Sequence, residues 1–501
     1  MRSGTRRSLR TTNRSSESGR PLNLLILCPD QLRADYLSCY GHPTIGTANI
    51  DRLAAEGVRL DRAYCSAPLC GPSRISFVTS TRMSEHGHRT YGSTIDYAVP
   101  NLVRSLKESG CRTGMFGKNH CFNNDQLPEI WDELHNICAG NYDDHPKYRR
   151  SFDAFEMEPD YHFNLTGLLA DETIDFIRRQ PDGQPFLAWV NWQDPHPAFT
   201  CPEPYFSMFD PNTIELPARY RECDGTGKPR RLKNWRINCQ APEATDDDIR
   251  RARAAYMGQV RYVDDSVGRI LDALKKAGRD KDTLVVFLAD HGELLGDHGV
   301  WHKIGVFYEC LTRIPVIIRH PAGSYQGAFK GLVEEVDLAP TILEACGIRR
   351  PLSFVGESLH QRLVDTQLGP EYGRSTALVE TGTQAPTWPA PFGEKQKAPF
   401  APNNFGPGAM ITDERYKLSI YYDDLCELYD LETDPGELDN RFEDPKLKEA
   451  RDRLTLELCR RLTGPGVRDI GQIRWPEDYD DPRQVPLETA AKRSNPWKQK
   501  A

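Results

Sequence analysis

Residues 22–31 read L-N-L-L-I-L-C-P-D-Q. From Leu22 to Cys28 every residue but Asn23 is apolar, the pattern of a strand buried on both faces, as strands of parallel sheets are. Phe186–Asn191 (F-L-A-W-V-N), Thr283–Ala289 (T-L-V-V-F-L-A) and Ile314–Ile318 (I-P-V-I-I) read the same way. Helical patterns lie between them. Val99, Leu102, Val103 and Leu106 recur at helical spacing, with Pro100 near the start and Gly110 beyond the end. A longer helix is expected after Thr245, a good N-cap followed by three aspartates that suit the positive end of the helix dipole. Its apolar stripe runs through Ile249, Ala252, Tyr256, Val260, Val263, Val267, Ile270 and Leu274, and Gly278 ends it. Strands alternating with such helices predict an α/β fold built on a large, mainly parallel sheet flanked by helices.

The composition divides the chain into three stretches. Residues 1–20 hold six arginines and five serines with no apolar segment behind them, which reads as a disordered basic leader rather than a secretory signal. Residues 21–370 carry the sheet pattern. Residues 371–501 read as a smaller α+β subdomain. There, short strands at Met410–Thr412 and Tyr416–Tyr422 flank the turn Asp413–Arg415. Glu427–Asp430 leads into the turn Asp434–Glu437, a helix runs over Pro445–Leu462, and a polar tail follows.

A net charge of −8 argues against a nucleic-acid partner. No run of 18 apolar residues exists, so no membrane span is expected. The 14 cysteines are scattered, with no C-x-x-C pair, which fits a reducing compartment and a cytoplasmic location. Oligomeric state is left open.

In open α/β sheets, ligands bind beyond the carboxyl ends of the strands. Asp30 and Gln31 stand just past the first apolar run, and Asp290 and His291 stand just past Thr283–Ala289. Two carboxylates, an imidazole and an amide oxygen make a mainly hard-donor site for a divalent cation. The competing reading is that Asp30 caps a helix and Asp290–Gly292 is only a turn.

Cys70 begins the run C-G-P-S-R, ending at Arg74. A buried free cysteine beside a proline turn is the plain reading. The pattern C-x-P-S-R, however, resembles the signature of the sulfatase family, within the alkaline phosphatase superfamily. In the same order the chain shows Asp30-Gln31, Cys70–Arg74, Gly117-Lys118-Asn119-His120, Asp194-Pro195-His196-Pro197, Asp290-His291-Gly292 and His302-Lys303. Glu427–Asp430 followed by Asp434-Pro435 is similar to the family's L-Y-D-L-x-x-D-P segment. The resemblance spans roughly residues 21–445.

The resemblance implies an alkaline phosphatase/sulfatase-like fold and hydrolysis of sulfate monoesters, of a sulfated small molecule or carbohydrate. It implies that a maturation enzyme converts Cys70 to formylglycine, whose hydrate is the nucleophile. One divalent metal would be held by Asp30, Gln31, Asp290, His291 and the oxygen at position 70. Calcium is the family's usual ion, and the imidazole also admits manganese or zinc. Arg74 would steady the nucleophile and the metal's surroundings, and Lys118 and Lys303 would bind sulfate oxygens. His196 would protonate the leaving alcohol, and His120 would take the proton that releases sulfate.

Two positions depart from the common pattern: Gln31 where many sulfatases have a second Asp, and His291 where many have Asn. This variant looks like choline sulfatases and phosphonate monoester hydrolases. A phosphonate monoester or phosphodiester hydrolase is therefore the first alternative, and a non-catalytic binding protein with unmodified Cys70 the second. Residues 201–240, with Lys228, Arg230, Arg231 and Trp235, are expected either to rim the substrate pocket or to form a solvated loop.

Overall fold

A computed structural model describes residues 22–89, 93–136, 147–157, 165–218, 220, 226–364, 374–382 and 406–463. The basic leader, most of the Pro/Gly-rich stretch and the polar tail lie outside the described residues.

Strands β1 (Asn23–Pro29), β2 (Val58–Tyr64), β3 (Arg112–Gly117), β4 (Glu133–His135), β5 (Phe186–Trp192), β6 (Thr283–Leu288), β7 (Arg313–Arg319) and β8 (Gly327–Glu334) form one sheet. Its order is β4-β3-β5-β1-β6-β7-β2-β8. The expected runs are the central strands: β5, β1 and β6 are neighbours, all parallel, and every residue in them is buried.

The run at Ile314–Ile318 is a strand too, but it pairs antiparallel with β6 and with β2. A parallel return needs a crossover, usually a helix. Residues 289–312 instead fold back over the carboxyl edge of the sheet, so the chain re-enters in the opposite sense. The sheet is therefore mainly parallel but mixed.

The long helix spans Asp246–Lys276. The Thr245 hydroxyl accepts from the Asp248 backbone N–H at 3.2 Å, and the Asp248 carboxylate accepts from the Thr245 N–H at 3.0 Å. This reciprocal cap satisfies two orphan donors. Tyr256, on its buried stripe, donates from its hydroxyl to the Gln31 carbonyl at 2.8 Å and accepts from the Arg33 N–H at 3.0 Å. The helix thus fixes the turn that follows β1. The helix expected near residue 100 runs Leu102–Glu108 with Asn101 as its cap, and Val99 lies outside it.

A second sheet, β12-β11-β10-β9, is antiparallel throughout. It comprises β9 (Ala377–Thr381), β10 (Gly408–Thr412), β11 (Tyr416–Tyr421) and β12 (Glu427–Asp430). Asp413 makes the β10–β11 turn, accepting from the N–H groups of Arg415 (2.8 Å) and Tyr416 (2.6 Å). The helix Lys448–Thr463 lays Leu454 and Leu458 on Leu378, Ile411, Leu418 and Leu428 of this sheet.

One glycine is set by the fold at the sheet's carboxyl edge. Gly117 ends β3 with φ +106°, and a Cβ there would stand 2.0 Å from the Asn191 carbonyl oxygen. Gly117→Ala should therefore cost at least about 1–3 kcal/mol from the left-handed backbone alone. It should also shift Lys118, the next residue. Thermal melting tests this: an unchanged melting temperature would show that β3 and β5 yield at this contact.

Candidate active site

The carboxyl ends of β1, β3, β5 and β6 bring the candidate residues together. Asp30 and Gln31 follow β1, Lys118 and His120 follow β3, His196 follows β5, and Asp290 and His291 follow β6. Cys70 is the first residue of the helix Cys70–Thr79, all of which is buried. A helix N-terminus favours negative charge, so it suits a reactive side chain there.

Ligand atoms of Asp30, Cys70, Asp290 and His291 lie within 4.8 Å of one another, and all four residues are buried. Cys70 Sγ is 3.2 Å from His291 Nε2 and 3.6 Å from Asp30 Oδ1. His291 Nδ1 is 2.8 Å from the Gly292 carbonyl oxygen. A carbonyl only accepts, so Nδ1 carries a hydrogen and Nε2 is the ring atom that faces the cluster, its lone pair open to a metal once its proton leaves. Against burial, the largest influence, Asp290 and Cys70 raise the imidazole above its ordinary value.

Three cations surround these acids. Arg74 donates from Nε to Asp290 Oδ2 at 2.8 Å and from Nη1 to Asn191 Oδ1 at 2.6 Å, with Nη2 3.7 Å from Asp30. Lys118 donates to the same Asp30 oxygen, Oδ2, and its Nζ is 3.8 Å from Cys70 Sγ. Lys303 donates to the Gln31 side-chain oxygen, and the Gln31 amide nitrogen donates to Glu293. Gln31 therefore adjoins the four-residue cluster with its side chain strung between Lys303 and Glu293.

The sulfatase family profile matches residues 22–348 of this chain. The chain belongs to the sulfatase family. It is 27% identical over 482 residues to an arylsulfatase of Clostridium perfringens, covering 88% of this chain and 94% of that protein. It is 26% identical to an N-acetylglucosamine-6-O-sulfatase of Bacteroides thetaiotaomicron, covering 85% and 83%. The solved phosphonate monoester hydrolase of Agrobacterium radiobacter superposes with a TM-score of 0.73 at 25% identity, covering 88% of this chain and 95% of that one. This sulfatase is accordingly a sulfuric ester hydrolase by class. No helix among its described residues is long and apolar enough to cross a membrane.

The surroundings set the charge state of each group. Burial, the largest influence, and Asp30 push the Cys70 thiol up, yet Lys118, Lys303 and His291 bring it below its ordinary value. Burial opposes ionisation of Asp30 too, but Lys118, Lys303, His196 and Arg74 hold it well below the usual carboxylate range. Burial, then Lys118 and Arg74, pushes His120 far down. Burial, then Lys303, does the same to His196. Both imidazoles are neutral near pH 7. His196 Nδ1 lies 2.6 Å from the Pro197 carbonyl oxygen and so keeps its hydrogen there, leaving Nε2 as the exchangeable position.

Other histidines are structural. His86 bonds Ser76 of the Cys70 helix at 3.0 Å, His298 stacks on Tyr308 with ring centroids 3.6 Å apart, and His302 meets the Tyr148 hydroxyl at 3.3 Å. The basic segment expected to rim the pocket is also committed internally. Lys228 donates to the Tyr429 hydroxyl and the Glu437 carbonyl, both at 2.7 Å. Arg231 is buried against Asp424 and the Gly305 carbonyl, and Trp235 donates to the Trp301 carbonyl at 2.7 Å. These groups brace the residues leading into Lys303 and join them to the small sheet.

Glu335 escaped the reading of the sequence. Ser73 Oγ lies 2.6 Å from the Asp290 carbonyl oxygen and 2.8 Å from both Glu335 carboxyl oxygens. The hydroxyl has one hydrogen for these acceptors, and giving it to the carbonyl leaves Glu335 to donate in turn, as a carboxyl kept protonated by burial would. Burial pushes its pKa up to about 8, against the opposing bonds from Ser66 and Ser73. A carboxyl raised in the fold contributes stability in full below its unfolded pKa of about 4.3, and that contribution is lost as pH rises. The loss is complete only above the folded value of about 8. Glu335→Gln keeps one donor and one acceptor and does not titrate. Its melting temperature should gain on the parent's as pH rises from about 5 to about 9. Parallel melting profiles would show that Glu335 is ionised in the native protein.

Proposed function

We propose that this sulfatase hydrolyses sulfate monoesters, of carbohydrates or similar organic alcohols, with a formylglycine made from Cys70 as nucleophile and a divalent metal beside it. The observation that carries the reading is the convergence of Asp30, Cys70, Asp290 and His291 within 4.8 Å, with Lys118 and Lys303 alongside. The kinship to a protein named for a sulfated sugar supports the carbohydrate class.

The residues fit a metal: two carboxylates, an inward-facing imidazole nitrogen and the nearby Gln31 amide oxygen are a mainly oxygen donor set. Asp30, Asp290 and His291 would hold the ion, with Gln31 as a weaker ligand. We assign calcium, and the imidazole admits manganese or zinc. When bound, the ion supplies Lewis-acid polarisation of oxygens at the reacting centre. The oxidised Cys70 supplies an aldehyde whose hydrate can attack an S–O ester and then release sulfate.

The chain's own residues do the remainder. Lys118, with Nζ 3.8 Å from position 70, and Lys303 bind sulfate oxygens as compact cations. Arg74 helps keep Asp30 ionised and holds Asp290 in register. His196 protonates the leaving alcohol from Nε2: a bound anion offsets the neighbouring Lys303 charge and raises the imidazole towards neutrality. His120, kept neutral beside Lys118, takes up the proton whose removal from position 70 expels sulfate.

The likeness to a phosphonate monoester hydrolase, with Gln31 and His291, favours a second reading: phosphonate monoester or phosphodiester hydrolysis at the same site. Comparing turnover of an aryl sulfate and a phosphate diester by one preparation separates the two.

The deciding experiment is the mass of the tryptic peptide Ala63–Arg74 after coexpression with a formylglycine-generating enzyme. We expect an aldehyde oxygen in place of the Cys70 thiol and one of its carbon-bound hydrogens, two hydrogens lighter than serine would be, and activity that tracks the modified fraction. Full sulfatase activity with only unmodified cysteine would overturn the reading. Unmodified Cys70 together with no turnover of any ester would favour the binding-protein alternative.

His196→Ala should slow hydrolysis of a sugar sulfate by about 10²–10⁴-fold, since its poor leaving group needs a proton in the transition state. Nitrophenyl sulfate, whose leaving group needs little protonation, should lose far less. Equal losses on the two substrates would assign His196 to sulfate binding and leave His120 or Lys303 as the acid.

A further inference from the structure

The same four residues have a different chemistry before position 70 is oxidised. Cys70 Sγ is 3.2 Å from His291 Nε2 and 3.6 Å from Asp30 Oδ1, and His291 Nε2 is 3.8 Å from Asp30 Oδ1 and from Asp290 Oδ1. Tetrahedral zinc, with bonds of about 2.3 Å to sulfur and about 2.0–2.2 Å to nitrogen and oxygen, sets its donors roughly 3.3–3.8 Å apart. These four of the six separations lie close to that range, and all the ligand atoms fall within 4.8 Å of one another, before any metal has drawn them together. The ring orientation is also right, because the Gly292 carbonyl holds the Nδ1 hydrogen and turns Nε2 inward. Asp290 is oriented independently of a metal: its Oδ1 accepts from the Gln31 and His291 N–H groups, both at 3.0 Å, and its Oδ2 from Arg74.

We propose that the unmodified chain is a zinc-class metal protein at this centre, bound by Cys70 thiolate, His291, Asp30 and Asp290, and that replacing the sulfur by oxygen at position 70 turns the same centre towards harder cations such as calcium. Thiolate and imidazole select zinc and its neighbours, whereas calcium takes six to eight oxygens and gains nothing from sulfur. Oxidation of one buried side chain from thiol to aldehyde therefore changes the metal. Cys70 is fully buried in the fold, so chains that fold unmodified keep the thiol. Only the second half of the proposal rests on the formylglycine reading.

The test uses the full chain expressed without any formylglycine-generating enzyme, with the cysteine verified by peptide mass. Cobalt(II), a spectroscopic stand-in for zinc, should bind with a thiolate-to-metal charge-transfer band in the near ultraviolet. The band should vanish on adding zinc and be absent from Cys70→Ser. Cys70→Ser should bind zinc more than about a hundredfold more weakly, beyond the loss typical of an outer-shell partner. The matured protein should retain calcium and show no such band. The wild-type band alone is decisive should the variant fail to fold. Cobalt bound without the band would overturn this inference and leave the metal site standing. No divalent cation bound by either form would overturn both.

Discussion

Two acidic side chains, Asp30 and Asp290, lie wholly inside the protein at the carboxyl edge of the sheet, and buried acids are tolerated only when matched and hydrogen-bonded. Arg74, itself 1% exposed, does most of the matching. It engages Asp290 after β6, Asn191 at the end of β5 and, at longer range, Asp30 after β1. Lys118, after β3, completes the neutralisation of Asp30. Four strand ends and one helix are therefore tied through a single guanidinium and one ammonium. Cys70 and Arg74 are four residues apart on one helix, so they share a face. Whatever orients the guanidinium orients the side chain at position 70.

That constraint explains the shape of the sheet. The four strands whose ends carry the site, β3, β5, β1 and β6, are consecutive neighbours and all parallel, so their carboxyl ends open on one edge. After β6 the chain does not leave for the opposite face. It spends residues 289–312 on the site edge, delivering Asp290, His291, Glu293 and Lys303, and returns antiparallel as β7. The break in the parallel pattern is the structural consequence of gathering so many polar groups from one connection.

The central strands were legible because burial on both faces leaves an almost unbroken apolar run. β2 was not: V-R-L-D-R-A-Y keeps half-exposed polar positions near the sheet's edge. β3 was hidden by two glycines in R-T-G-M-F-G, where close approach of a neighbour, not β propensity, dictates the residue. Among site residues, those fixed by strand ends could be read from position. Asn191 stood in view as the last residue of an expected strand. Glu335 and Glu293 could not be read, because nothing local marks a carboxyl for burial. Glu335 acquires its role only when Ser73 and Ser66 close around it, and Glu293 only when Gln31 reaches it.

The basic segment Lys228–Arg231 shows where charge reading from sequence fails. A cluster of cations suggests an anionic ligand, but a cation already matched inside the fold has little attraction left to offer one. Arg231 spends its charge on Asp424 and two carbonyls, and Lys417 of the small sheet is likewise matched by Glu309 and Glu437. Lys303 differs, since its bond is to the neutral oxygen of Gln31. An anion arriving beside it meets a buried positive charge whose bonded partner is uncharged and which is shared at longer range with Asp30, in a medium where Coulomb attraction is stronger than in water. Under the proposed function, a glutamine at position 31 is thus more than a departure from a second acid. It gives Lys303 an amide rather than a carboxylate as its bonded partner, so no second ion pair is made there to compete with a sulfate.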